Sequence, residues 1–221
     1  MELVQQGRVP QLDAGIAGGP ARAADTEGVD DATLMLRYRD GDAQAFAMLY
    51  ARHKRGLYCY LGRLCHDREV AGDLFQEVWG KVIASRERYE PRAQFNTFLF
   101  RIAHNCAMDH FRRSRRQPVS RAEDLSLVQE QLPASDSERP DAQSSRAQLH
   151  AAYRSALRDL PQEQRDVFLL YEETGLSLEA IGGITGVAME TAKSRLRYAV
   201  AKLRASLKRF APGAAEPSIE T

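Results

Sequence analysis

Across residues 30–116, apolar side chains recur at helical spacing with few interruptions. Leu34 and Tyr38, four apart, open the pattern. Asp42 fits the N-cap of a long helix whose apolar side carries Phe46, Leu49, Tyr50, Leu57, Leu61 and Leu64. His66 and Asp67 break that helix. The cleanest stripe follows: Ala71, Leu74, Phe75, Val78, Trp79, Val82 and Ile83 fall on one face of a helix, with Asp73, Gln76, Glu77 and Lys81 on its other faces. Pro91 marks a loop. A third strong helix aligns Phe95, Phe98, Leu99, Ile102, Ala103 and Cys106 and runs into Arg112, Arg113, Ser114, Arg115 and Arg116.

The periodicity disappears over residues 117–146, where Pro118, Pro133, Pro140, several serines and a set of acids read as a linker. It returns near Ala147. Leu149, Tyr153, Ala156, Leu157 and Leu160 make one helix, and Pro161 suits the first turn of the next, which buries residues 167–171 and stops at Gly175. Two more helices are expected over residues 178–185 and 188–210. Residues 1–28, rich in Gly, Ala and polar side chains, read as a flexible extension, and residues 211–221 as a tail. With no alternating strand pattern, the chain is expected to be all-α: a helical domain over 29–116, a linker over 117–146, and a second helical domain over 147–210.

Composition adds limits. In 221 residues, 43% hydrophobic content supports packed cores. No apolar run reaches the roughly 18 residues of a membrane span. The start, MELVQQGRVPQLDAGIAGGP, lacks a basic segment followed by an apolar one, so no membrane insertion is expected and the chain is expected to be cytoplasmic. Cys59, Cys65 and Cys106 do not form a disulfide framework. Cys65 and His66 have no second closely spaced pair to complete a zinc site, so neither a metal nor any other cofactor is expected. No nucleophile–base pair stands out, and an enzyme is not expected.

The net charge of +1 conceals an uneven distribution. Residues 92–116 hold six Arg against one Asp, residues 119–145 two Arg against six acids, and residues 193–209 seven basic side chains and no acid. Two basic segments separated by an acidic one suit two surfaces for a polyanion.

The distal basic segment coincides with helix-turn-helix spacing. Ile181, Ile184, Val187, Ala192 and Leu196 supply internal contacts between two crossed helices, Gly182 permits their close approach, and Gly186 suits the turn. The second helix carries Glu190, Thr191, Lys193, Ser194, Arg195 and Arg197, short polar side chains for base edges and cations for phosphates. A helical hairpin with a solvated basic face is the plainer alternative, but such a face normally mixes signs.

In the first half, Asn105, Asp109, Arg112 and Arg113 share a polar face. Asn can pair bidentately with a base edge and Arg can hold phosphates. The loop over 90–96 could receive an unstacked base, although Phe98 and Leu99 lie on the apolar stripe and read as core. The polar face of the 71–83 helix is acidic and amide-rich, which suits a protein partner and not DNA.

The segments DLFQEVWGKV, FNTFLFRIAHNCAMDHFRR, LPQEQRDVFLL and GLSLEAIGGITGVAMETAKSRL, in this order and spacing, resemble the sigma-70 family, specifically its extracytoplasmic-function (ECF) group. The resemblance covers roughly residues 30–116 and 148–207. It implies a first domain that binds the β′ clamp helices of core RNA polymerase and captures the melted −10 element, and a second that reads the −35 duplex beside the β flap. By position, Asp73, Gln76 and Glu77 would contact polymerase. Asn105, Asp109, Arg112 and Arg113 would face the −10 element, and Glu190, Thr191, Lys193, Ser194, Arg195 and Arg197 the −35 element. Promoter DNA and polymerase are the implied partners, and control by an anti-sigma factor is usual in the group. The acidic linker fits one that threads toward the RNA exit path.

The chain departs from the group at three places. Glu190 stands where many relatives have Gly, and could accept from a cytosine amino group or favour the helix N-terminus. Gly182 and Gly183 in succession should each weaken their helix by up to about 1 kcal/mol relative to Ala. The N-terminal extension is longer than the usual lead-in. A helix-turn-helix regulator that works without polymerase explains residues 178–209 equally well, but not the acidic-faced helix followed by the basic, Asn-bearing one.

Overall fold

A computed structural model describes residues 28–116 and 140–210, which belong to two compact units divided after Pro118. Every regular element among the described residues is a helix. The expected extension over 1–28 (Gly28 apart), most of the linker and the tail over 211–221 lie outside the described residues.

In the first unit, three Asp side chains start three helices. Asp30 accepts from the Thr33 N–H at 3.0 Å and caps α1, Asp31–Arg39. Asp42 accepts from the Gln44 and Ala45 N–H groups at 2.9 and 3.2 Å and caps α2, Ala43–Cys65. Asp67 accepts from Glu69 and Val70 at 2.9 and 3.1 Å and caps α3, Arg68–Ala84. Each satisfies donors that have no partner inside their own helix. Between α2 and α3 the chain reverses at His66, whose φ of 57° is left-handed. That conformation costs a non-glycine residue roughly 1–2 kcal/mol, so the packing of α2 on α3 must hold it.

Trp79 of α3, wholly buried, is the centre of that packing. The rings of Tyr50, Phe46 and Phe75 lie 5.0, 5.7 and 6.4 Å from it. Helix α4, Phe95–Arg116, packs on both α2 and α3. Its buried face is therefore wider than the apolar stripe. Phe95, Leu99, Ala103 and Cys106 are buried as expected, but so are Phe100, His104 and Ala107, while Phe98 and Ile102 are only half-buried. Phe100 meets Tyr60 of α2 edge to face at 5.4 Å.

In the second unit, α5 spans Pro140–Arg158, α6 Gln162–Thr174, α7 Leu178–Thr185 and α8 Met189–Leu207, with a 3-10 turn at Lys208–Phe210. Helix α5 begins seven residues before Ala147, where the patterning returns. Pro140 takes its first position, where a missing N–H costs nothing. Pro161 is the N-cap residue of α6 and so precedes the first turn. Its carbonyl accepts from the Gln164 and Arg165 N–H groups at 2.9 and 3.0 Å. Helix α8 packs against α5, α6 and α7 through Ala192, Ala199 and Leu203. No described helix is long and apolar enough to cross a membrane.

Candidate nucleic-acid interface

The geometry of α7 and α8 depends on one absent side chain. A Cβ on Gly182 would lie 2.8 Å from the Val187 carbonyl oxygen and 3.4 Å from the Met189 nitrogen. The hydrogen at that position lets the turn fold directly onto α7. The Val187 N–H then donates to the Gly182 carbonyl at 3.0 Å, and Gly186 takes φ of 71° at the corner. Ser177 caps α7 by accepting from Ala180 at 3.2 Å. Ala192 and Ile181 are wholly buried where the helices meet, and Ile184 nearly so; Val187 and Leu196 are half-buried at the margin.

This packing turns the opposite side of α8 to solvent. Glu190, Thr191, Lys193 and Arg197 are exposed, and Ser194 and Arg195 half-exposed. Lys193 pairs weakly with Glu190 at 3.7 Å, and the Arg197 guanidinium lies 5.3 Å from the Tyr198 ring centre. Arg195 has no ion pair among the described residues. The structure thus brings all six sequence-derived positions onto the first two turns and a half of one helix.

In the first unit, the two expected surfaces meet. Glu77 of α3 and Asp109, Arg112, Arg113 and Arg116 of α4 line one cleft of about 360 Å³. Asp73, Gln76 and Asn105 are exposed on the same two helices outside that lining. Arg112 pairs with Asp109 at 3.4 Å, and the Arg113 Nε donates to the Asp109 carbonyl at 3.4 Å.

Spacing alone did not single out Lys81 and Cys106. The Lys81 Nζ lies 2.8 Å from the Glu77 carboxylate and donates to the Cys106 Sγ at 3.2 Å, tying α3 to α4. Partial burial pushes the Glu77 carboxyl up, but the hydrogen bond and charge of Lys81, with Arg113 behind, bring it below its ordinary value. The same bond to Glu77 raises the Lys81 ammonium, and burial raises the Cys106 thiol. Glu77 is therefore an ionised carboxylate already engaged by cations.

Helix α4 starts at Phe95, so Asn96 lies within it and the preceding loop covers 90–94. Below the loop, the buried ring of Tyr89 meets Phe98 at 5.2 Å and Phe95 at 6.4 Å. Burial, with Asp30 and Asp31 nearby, raises the Tyr89 hydroxyl above its ordinary pKa.

Two all-helical units, one ending in a tight helix-turn-helix with a largely uncompensated basic face, define a helical DNA-binding protein. Comparison with known proteins is more specific. Residues 49–117 match the model for Sigma-70 region 2, and residues 156–205 that for Sigma-70, region 4. The RNA polymerase sigma factor CarQ of Myxococcus xanthus is 33% identical over 170 residues, covering 77% of this chain and 93% of that protein. The ECF RNA polymerase sigma factor SigM of Mycobacterium tuberculosis is 28% identical over 173 residues, 78% of this chain and 82% of that protein. Among solved structures, the sigma factor RpoE of Bartonella quintana, in complex with the anti-sigma factor NepR, shares the fold with a TM-score of 0.61, at 24% identity over 75% of this chain and 98% of that one.

The chain belongs to the sigma-70 family of RNA polymerase sigma factors, in its extracytoplasmic-function group. It is a promoter-directing subunit that binds core polymerase and promoter DNA, and it is not an enzyme. A regulator independent of polymerase would leave the region 2 match without a purpose.

Proposed function

We propose that the two units divide promoter recognition between them. In this reading the domain over 29–116 holds the β′ clamp helices with Asp73, Gln76 and Glu77 of α3. It reads the melted −10 element with Asn105, Asp109, Arg112 and Arg113 of α4. The domain over 147–210 lays α8 in the major groove of the −35 duplex beside the β flap, with Glu190, Thr191, Lys193, Ser194, Arg195 and Arg197 toward the DNA. Residues 117–139, up to the start of α5, join the two, with residues 1–28 and 211–221 outside both. The protein works in the cytoplasm, where polymerase and promoter are, and an anti-sigma factor holds it inactive until it is released.

The observation that carries this reading is the solvent-facing basic side of α8, set at a fixed angle by the Gly182 contact. In vitro transcription with core polymerase on a promoter library tests it. Arg195→Ala should lower −35 duplex affinity by roughly tenfold, as for a lost base or phosphate contact. Asn105→Ala should impair promoter opening more than polymerase binding, and Glu77→Lys should weaken polymerase binding itself. Unchanged duplex affinity for Arg195→Ala at moderate salt would remove α8 from the groove.

A further inference from the structure

At the first position of α8, Met189 is 46% exposed. Among the described residues of this unit, three other large apolar or aromatic side chains are comparably exposed: Leu149, Tyr171 and Tyr198. Leu149 and Tyr171 lie on other helices, and Tyr198 is far down α8 with Arg197 beside its ring. Met189 is the exposed apolar group at the end of α8 that a recognition helix points at base edges. Its backbone is also packed closely on α7, the Met189 nitrogen lying 3.4 Å from where a Gly182 Cβ would be. An unbranched apolar side chain is thus held out from a fixed anchor. The adjacent positions carry Glu190 and Thr191, both exposed.

The major groove offers one prominent apolar feature to such a side chain, the C5-methyl group of thymine. We propose that Met189 is a specificity-determining residue that packs on a thymine methyl, so that the −35 element carries a thymine where the start of α8 meets it. This rests on the placement of α8 in the major groove. It adds a base preference that the charged and hydrogen-bonding side chains of α8 do not supply. A thioether chain has no donor for a purine edge and gains from contact with a methyl group.

The test uses holoenzyme assembled from the full chain and core polymerase, and a duplex library randomised across the upstream element. The wild-type protein should enrich thymine at one position, and replacing that base with deoxyuridine, which lacks only the methyl, should weaken binding about three- to fivefold, the worth of one buried methyl. Met189→Ala should lose both the enrichment and the deoxyuridine penalty, and keep the rest of the selected sequence. Met189→Leu should keep both. Met189→Gln should move the selected base toward adenine, whose N6 and N7 a glutamine can hold. If Met189→Ala retains thymine with the same deoxyuridine penalty, the inference is overturned while α8 keeps its place. If Lys193→Ala and Arg195→Ala also leave the selection unchanged, the placement of α8 falls as well.

Discussion

The two units solve opposite problems with opposite materials. The first is built around aromatic rings, with Trp79 wholly buried among Phe46, Tyr50 and Phe75, and several charges of its candidate surface are already paired. Glu77 is held by Lys81, and Arg112 by Asp109. The second is built mainly from aliphatic and small residues, Leu157, Val167, Ile181, Ala192 and Ala199 among them, with Phe168 its one buried aromatic among the described residues, and along α8 only Glu190 offsets the cations. Duplex DNA carries a dense counterion atmosphere, so a surface that meets it gains from cations not already neutralised. A surface that meets a protein and an unstacked strand gains more from fixed geometry, which rigid rings and paired charges provide. Charge pairing, more than net charge, separates the two surfaces.

The sharpest way to break this contrast is to unfold one unit and ask whether the other still works. Trp79→Ala should cost the first unit about 3–5 kcal/mol, as for other fully buried large aromatics. Urea unfolding followed by circular dichroism should show an early transition in the variant, with −35 duplex binding retained below it. A single shared transition would mean that the two units are not independent. The counterpart in the second unit is Gly182→Ala, whose Cβ meets main-chain oxygen at 2.8 Å. Overpacking against backbone should cost about 1–3 kcal/mol. Duplex affinity should fall while polymerase binding is kept, and equal loss of both would contradict the local role of that contact.

Much of this was legible in the sequence because both helix periodicity and capping are local. Asp42, Gly175, Gly182 and Gly186 announce their roles through chemistry that needs no tertiary information, and the structure places each as expected. The misreadings arise where a helix has more than one neighbour. A single stripe on α4 anticipates one packing partner, whereas α2 and α3 both bury it, so Phe100 and His104 go inside. The start of α5 is not legible in the pattern because Pro140 sits among serines and acids that read as linker, though proline is at home in a first helical turn. The candidate surfaces show the same limit. The six positions on α8 follow from one helix's periodicity, but the shared cleft of Glu77, Asp109, Arg112 and Arg113, and the Lys81–Cys106 contact behind it, depend on how α3 lies on α4. No spacing rule within either helix encodes that.

A smaller effect distinguishes how helices begin in the two units. Asp67 caps α3 through two N–H groups, whereas Ala188 and Pro161 give α8 and α6 no side-chain cap. Asp67→Ala should therefore cost about 1 kcal/mol, read as a lower urea midpoint for the first unit alone. Asp67→Asn or Asp67→Ser should restore most of it, since either side chain can accept from the same donors. Failure of both to do so would show that charge, and not the cap hydrogen bonds, accounts for the loss.

The smallest expected effect is a pH dependence in the first unit. Two hydrogen bonds from Arg37, at 2.7 and 3.0 Å, hold the Asp42 carboxyl below its ordinary 3.8; desolvation opposes them, and the cap N–H groups and the Arg37 charge add to the lowering. A carboxyl whose folded pKa lies below its unfolded one contributes stability that is fully present above the unfolded value and lost as pH falls through the folded one. Asp42 is near the surface, so solvent and salt weaken the contribution. Arg37→Gln removes the guanidinium while leaving the cap of α2 in place. The difference in urea midpoint between the wild-type protein and Arg37→Gln should be constant from pH 7 to about pH 5, shrink below pH 4 as Asp42 protonates, and be smaller at 0.5 M salt. A difference that persists undiminished at pH 3 would mean that Arg37 stabilises the α1–α2 turn by packing of its aliphatic stem, and that the Arg37–Asp42 pair adds nothing measurable.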